Sequence, residues 1–186
     1  MNIDFQQLIR LRQSVRKYTP KKVEEDKLGL CLEAARLAPS ASNSQPWSFV
    51  VVDDPELLKN VGKASKGPLG TFNNFVTSAP VIIVLVIEKP PVLTELGGRL
   101  KKKEYPLIDI GIAADHFCLQ AASLGLGTCM LGWFDEAEIK RLLSIPASKT
   151  IGLLITLGYS PEGYLLRQKQ RKSYEKVVMR NRYTGD

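Results

Sequence analysis

Apolar residues along this chain come in two patterns, helically spaced stretches and short unbroken runs. Ile3, Leu8, Ile9 and Leu11 recur at roughly helical spacing and predict a helix over 3–12. A clearer helix is predicted over 23–38. Glu24, Glu25 and Asp26 fill its first turn, where the helix dipole favours negative charge, and Pro39 stops it. Trp47–Val52 reads as a strand. Asp54-Pro55 then opens a short helix to about Val61, with proline at its first position. Residues 62–70 read as loop. The run Val81–Ile87 is seven apolar residues long, which fits a central buried strand and is far too short to cross a bilayer.

The strongest helix is predicted over Leu107–Leu124. Its apolar residues, among them Ile110, Ala114, Phe117 and Ala121, cover most of the circumference, so the helix is buried on more than one side. That points to a subunit interface as well as a core; the alternative is one central helix in a monomer. Gly125-Leu126-Gly127 ends it. Thr128–Phe134 reads as a strand, Asp135-Glu136 starts a short helix reaching about Leu143, and Ile151–Tyr159 is the last core strand. Between the apolar blocks, 88–106 holds three prolines, two adjacent glycines and Lys101-Lys102-Lys103, and is expected to be a surface excursion and candidate lid.

After Gly163 the pattern changes. Residues 164–183 carry seven Lys or Arg against one Glu, with little apolar periodicity. Such an arm cannot offset its own ordering entropy and must lie on something, either a partner subunit or a polyanion. The expected organisation is therefore one domain: a core over 1–163 and an arm over 164–186.

Composition narrows the class. A chain of 186 residues, 44% hydrophobic and 24% charged, is an ordinary globular domain with enough apolar material for a core. The N-terminus lacks an apolar stretch of signal-peptide length, so the expected location is cytoplasmic, with no membrane partner. Cys31, Cys118 and Cys129 are odd in number and widely spaced, and read as small core residues, not a disulfide framework. One histidine, His116, cannot build a histidine-rich metal site, and its mid-helix position reads as solvent-facing. The net charge of +7 favours an anionic ligand such as a phosphate ester, while also admitting nucleic acid.

Candidate chemistry lies in four stretches. In an extended Arg12-Gln13-Ser14-Val15-Arg16, alternate side chains point the same way, so Arg12, Ser14 and Arg16 would make a phosphate clamp. Pro39-Ser40-Ala41-Ser42-Asn43-Ser44-Gln45-Pro46-Trp47 crowds five amide or hydroxyl side chains where a helix-to-strand connection needs one turn residue. That suits a flat heterocycle rich in donors and acceptors, such as a flavin; the alternative is a solvated loop. Gly127–Trp133 is small and apolar, letting main chain approach a flat ring, or simply forming a buried strand. Arg167-Gln168-Lys169-Gln170-Arg171-Lys172 is a second basic cluster, able to close on a phosphate or to remain a solvated charge run. A nucleic-acid reading of the arm lacks an interleaved aromatic platform.

The order of these stretches carries a resemblance. R-x-S-x-R-x-Y (Arg12–Tyr18), P-S-x-x-N-x-Q-P-W (Pro39–Trp47), D-I-G-I-A (Asp109–Ala113), G-L-G-T-x-x-L-G-W (Gly125–Trp133) and L-G-Y-x-P (Leu157–Pro161) together resemble the FMN-dependent nitroreductase family. The likeness runs from about Leu8 to Val178. It implies an α+β fold with a mixed, mostly antiparallel sheet flanked by helices. It also implies a homodimer in which the C-terminal arm crosses to the partner, with two FMN at the interface, each touched by both chains. Arg12, Gln13, Ser14 and Arg16 would then hold the phosphate, ribityl chain and pyrimidine edge, with Gln13 standing where Arg or His is common in the family. Pro39, Ser40, Ser42 and Asn43 would reach the flavin from the opposite subunit. Met130, Leu131 and Gly132 would contact the ring through backbone, Lys169 and Arg171 would complete the phosphate site, and Asn73 or Asn74 would approach the ring edge. The implied reaction is ping-pong: NADH or NADPH gives a hydride to the flavin and leaves, and a small electron acceptor (a nitroaromatic or quinone) takes two electrons in the same place. No catalytic side chain is implied. Rival readings are a specialised reductive enzyme of the same superfamily, a dehalogenase or flavin-fragmenting type, and a flavin-binding protein without turnover.

Overall fold

The computed structural model describes residues 4–67, 72–89 and 103–185. The chain folds in the order α1 (Phe5–Leu11), α2 (Glu25–Arg36), β1 (Trp47–Val52), α3 (Pro55–Ala64), β2 (Val81–Ile87), α4 (Tyr105–Ser123), β3 (Gly127–Leu131), α5 (Glu136–Leu142), β4 (Thr150–Gly158) and α6 (Tyr174–Val177). Two 3₁₀ turns, Ala41–Asn43 and Asn74–Ser78, lie between elements. The four strands form one sheet in the order β1-β2-β4-β3, and every adjacent pair is antiparallel. The parallel contribution is a single bridge between Ser14 and Thr128.

The sheet is covered on both faces. Val81, Ile83 and Leu85 of β2 pack with Leu28, Cys31, Ile110, Phe117 and Ala121 of α2 and α4. Ile82, Val84 and Val86 face the other way, against Val61, Val76 and Ile139. A strand buried on both faces has no polar side to alternate with, which is why β2 reads as one apolar run. Ile82, Ile83, Val84 and Leu85 are wholly buried; burial of each such side chain contributes about 1.5–3 kcal/mol.

Some boundaries differ from expectation. α3 continues through Gly62 to Ala64 instead of ending at Val61. Gly62 is buried there, and a Cβ on it would lie 2.9 Å from Thr77 Cγ2, so the missing side chain lets the Asn74–Ser78 turn close on the helix. β3 stops at Leu131, not Phe134. Gly132 and Trp133 turn outward, and the Asp135 carboxylate caps α5 by accepting from Glu138 N at 3.0 Å. His116 is half-buried, with Nδ1 3.3 Å from the Ala34 carbonyl oxygen, so it faces α2 and not open solvent.

α4 is buried along Asp109, Ile110, Ala113, Ala114, Phe117, Cys118 and Ala121. At its first turns, however, Leu107 and Ile108 are about half exposed. Its apolar circumference is thus only partly covered within one chain. The arm has no strand among its described residues and no buried residue after Gly158. Tyr174, Val177 and Tyr183 all stand open. The candidate lid over 88–106 falls mainly on residues outside those described. No described helix is long and apolar enough to cross a membrane.

Candidate functional site

The Arg12–Tyr18 segment is extended and stitched to the edge of the sheet at β3. Val15 N donates to the Thr128 carbonyl at 2.8 Å, and Thr19 N donates to the Tyr159 carbonyl at 2.8 Å. The buried Tyr18 hydroxyl lies 2.6 Å from Thr156 Oγ1 and donates to the Val15 carbonyl at 2.9 Å. Two glycines permit this approach. A Cβ on Gly127 would lie 2.6 Å from Val15 Cγ2, and one on Gly158 would lie 3.0 Å from Tyr18 Cδ1. The segment's exposed side is therefore held on a rigid base.

The first part of the arm folds back onto that side. Gln13 Nε2 donates to the Leu165 carbonyl at 3.2 Å, and Gln13 Oε1 accepts from Arg167 N at 3.1 Å. Arg167 Nη2 donates to the Ser14 carbonyl, Lys169 Nζ donates to the Arg12 carbonyl, and Arg16 N donates to the Tyr164 hydroxyl. Together Arg12, Gln13, Ser14 and residues 167–171 line an open cleft of about 360 Å³. Four lining residues are cations (Arg12, Arg167, Lys169, Arg171) and none is acidic. Burial pulls the Lys169 pKa down, and the neighbouring charges of Arg12, Arg171 and Arg167 push it the same way. Uncompensated positive charge of this kind is relieved by an anion. A phosphate ester fits, because guanidinium forks and an ammonium all donate to its oxygens.

Arg16 is exposed and does not line the cleft. Burial raises the pKa of the Cys129 thiol, and the charges of Arg16, Arg167 and Arg12 oppose that rise. Arg167 lines the cleft beside Lys169 and Arg171; it belongs to the basic cluster read as able to close on a phosphate, although the resemblance singled out only the other two.

Met130 is half-buried, Leu131 buried and Gly132 exposed. They continue β3 past Thr128, the partner of Ser14, so main chain follows directly from the cation cleft. Beyond them, Asn73, in a left-handed conformation, donates from Nδ2 to the carbonyls of Ser65 at 3.1 Å and Trp133 at 3.3 Å. Asn73 thus spends its amide on holding two loops together. A loop-to-loop clip of this kind leaves no sequence signature.

The Pro39–Trp47 stretch forms a tight turn. Ser42 and Asn43 sit at φ 52° and Gln45 at φ 45°, all left-handed, where side chains cost about 1 kcal/mol or more each. Ser40 Oγ accepts from Gln45 N at 2.9 Å, and both Asp109 carboxylate oxygens lie within 3.2 Å of Ala41 N. Ser42 and Asn43 are exposed, as is Pro39, while Ser40 is half-buried. Ser44 Oγ is buried with no hydrogen-bond partner. Asp109 was missed as a site residue, although it interrupts an otherwise apolar helix face.

The structure does not bring the turn and the cleft together within one chain. Ala41 sits against Asp109 near the start of α4, while Arg12 lies with Leu124 and Gly125 at its far end. Fifteen residues of helix separate these points, about 22 Å. β1, which the turn feeds, and β3, which the cleft borders, are opposite edges of the sheet, about 14 Å apart.

Among the described residues no cluster of three or more His, Cys, Asp or Glu could hold a metal ion. The family model for the nitroreductase family matches residues 9–71 and 68–159. An NADH dehydrogenase of Thermus thermophilus is 30% identical over 195 residues, covering 90% of this chain and 91% of that protein. The iodotyrosine deiodinase of Drosophila melanogaster is 28% identical over 200 residues, covering 93% of this chain and 68% of that protein. An FMN-dependent nitroreductase of Clostridium difficile R20291 superposes with a TM-score of 0.71 at 30% identity, covering 95% of this chain and 98% of that one. This chain belongs to the nitroreductase family.

Proposed function

We propose that the protein is an FMN-dependent oxidoreductase that takes electrons from NADH or NADPH and passes them to small conjugated acceptors such as nitroaromatics or quinones. It does so as a homodimer. The observation that carries this reading is the acid-free cleft of four cations on the edge of β3, sized and charged for a phosphate ester. The relatives named for NADH dehydrogenase and FMN-dependent nitroreductase activity support the same reaction class.

Bound FMN supplies the two-electron chemistry. The chain's own residues bind and orient it. Arg12, Lys169, Arg171 and Arg167 neutralise the phosphate, while Gln13 and Ser14 fix the register of the arm over it. Arg16, one step outside the lining, adds positive potential. Met130, Leu131 and Gly132 offer backbone to the ring. Pro39, Ser40, Ser42 and Asn43 act on the flavin of a second copy, because in their own chain the turn and the cleft lie toward opposite ends of α4 and opposite edges of the sheet. No side chain of the site is assigned as a general acid, and solvent supplies the protons.

The purified protein is expected to be yellow, and anaerobic NADH or NADPH to bleach it. Colourless protein that takes up no added FMN would overturn the reading. A second reading, reductive dehalogenation at the same site, is favoured by the likeness to iodotyrosine deiodinase. Halide release from an iodinated phenol, measured beside nitroaromatic reduction on the same reduced protein, separates the two.

A further inference from the structure

We infer that Asp109 is the positioning residue for the Ser40–Asn43 turn: a carboxylate buried in α4 that clamps Ala41 N–H and thereby holds a left-handed turn in the shape that presents Ser42 and Asn43 outward. This rests on the proposed flavin role of that turn and adds a residue to it.

Asp109 is 3% exposed, among the apolar residues Ile110, Ala113 and Ala114. Both its oxygens share one hydrogen-bond donor, Ala41 N, at 3.1 and 3.2 Å. A buried carboxylate has about four acceptor sites and is costly when so sparsely satisfied, so its place in the core is not explained by stability. The turn it holds is itself unfavourable. Ser42, Asn43 and Gln45 all have positive φ, and without an anchor such residues relax to extended or right-handed conformations. The remaining internal ties are local: Gln45 N to Ser40 Oγ at 2.9 Å, Gln45 Nε2 to the Asn43 carbonyl at 3.0 Å, and the backbone bonds from Asn43 N, Ser44 N and Trp47 N to the carbonyls of Ser40, Ala41 and Gln45. The Asp109 clamp is the tie that fixes the turn to a long helix, and so to the rest of the molecule.

Clamp and core therefore pull in opposite directions, which gives the test its sign. Asp109→Leu replaces a buried, sparsely bonded carboxylate by a larger apolar side chain, and the desolvation relieved offsets the cost of the added volume. The apoprotein Tm should stay level or rise, while FMN affinity falls at least tenfold by fluorescence titration. Asp109→Asn, which keeps an acceptor for Ala41 N–H, should stay within threefold of the parent affinity. Amide exchange at Ala41, read without flavin, should speed up at least tenfold in Asp109→Leu, with α4 amides unchanged. If Asp109→Leu fails to fold, Ala41→Pro removes the donor instead and carries the same exchange-independent loss of affinity. Parent-like FMN affinity in Asp109→Leu, or affinity and Tm falling together, would overturn the inference. A parent protein that binds no FMN removes the flavin reading, and Ala41 exchange then still decides whether the clamp exists.

Discussion

Replacing Arg12 by alanine and Lys169 by methionine together should weaken FMN binding at least 100-fold and leave riboflavin binding nearly unchanged. The two side chains line the same cleft, and no carboxylate there balances them. Hydrogen bonds from charged donors contribute about 1.5–3 kcal/mol each. Two of them, partly replaced by Arg167 and Arg171, leave a net loss of about 3 kcal/mol, or two decades of affinity. Methionine keeps the length of the Lys169 stem, so packing of the arm is disturbed less than by alanine. Riboflavin lacks the phosphate, so it reports ring binding alone. Flavin fluorescence titrations of both ligands check this. An unchanged preference for FMN over riboflavin would show that the phosphate is held elsewhere.

Ending the chain after Gly163 should have the larger structural effect. It removes Arg167, Lys169 and Arg171 from the cleft and the arm's ties to Gln13 and Ser14. It also removes Tyr174, Val177 and Tyr183, apolar side chains that one chain leaves open. No described residue beyond Gly158 is buried, so the core should survive and far-ultraviolet circular dichroism should show a folded domain. Flavin retention should vanish, and light scattering should show the mass falling from dimer to monomer. A truncated protein that stays dimeric and fully flavinated would contradict a role for the arm in either assembly or cofactor binding.

Much of the fold was legible in the sequence because burial writes itself into pattern. β1 and β2 were expected over the spans the structure gives them, Trp47–Val52 and Val81–Ile87. An apolar run with no polar alternation has few places to go except a sheet covered on both faces. α4 was readable for the same reason. Boundaries set by tertiary contact were not: α3 passes Gly62 because Thr77 packs where a side chain would be, and β3 ends at Leu131, where its pairing with β4 ends. At the site, the residue types were visible but their partners were not. Arg12 could be named from charge and spacing, and the family resemblance singled out Lys169 and Arg171 within the basic cluster 167–172. That Arg16 stays out of the cleft lining is announced by no local pattern, since alternation alone would group it with Arg12 and Ser14. Asp109 illustrates the opposite failure, since one acidic residue in an apolar helix looks like a surface position until the helix proves to be buried there.

The central claim is that the flavin site is built from the cleft of one copy and the Ser40–Asn43 turn of another. Native mass spectrometry of the FMN-saturated protein tests it most directly. The prediction is a dimer carrying two FMN, with flavin and partner lost together as the complex dissociates. A single chain that carries FMN by itself, or a dimer that stays empty at saturating FMN, would contradict it.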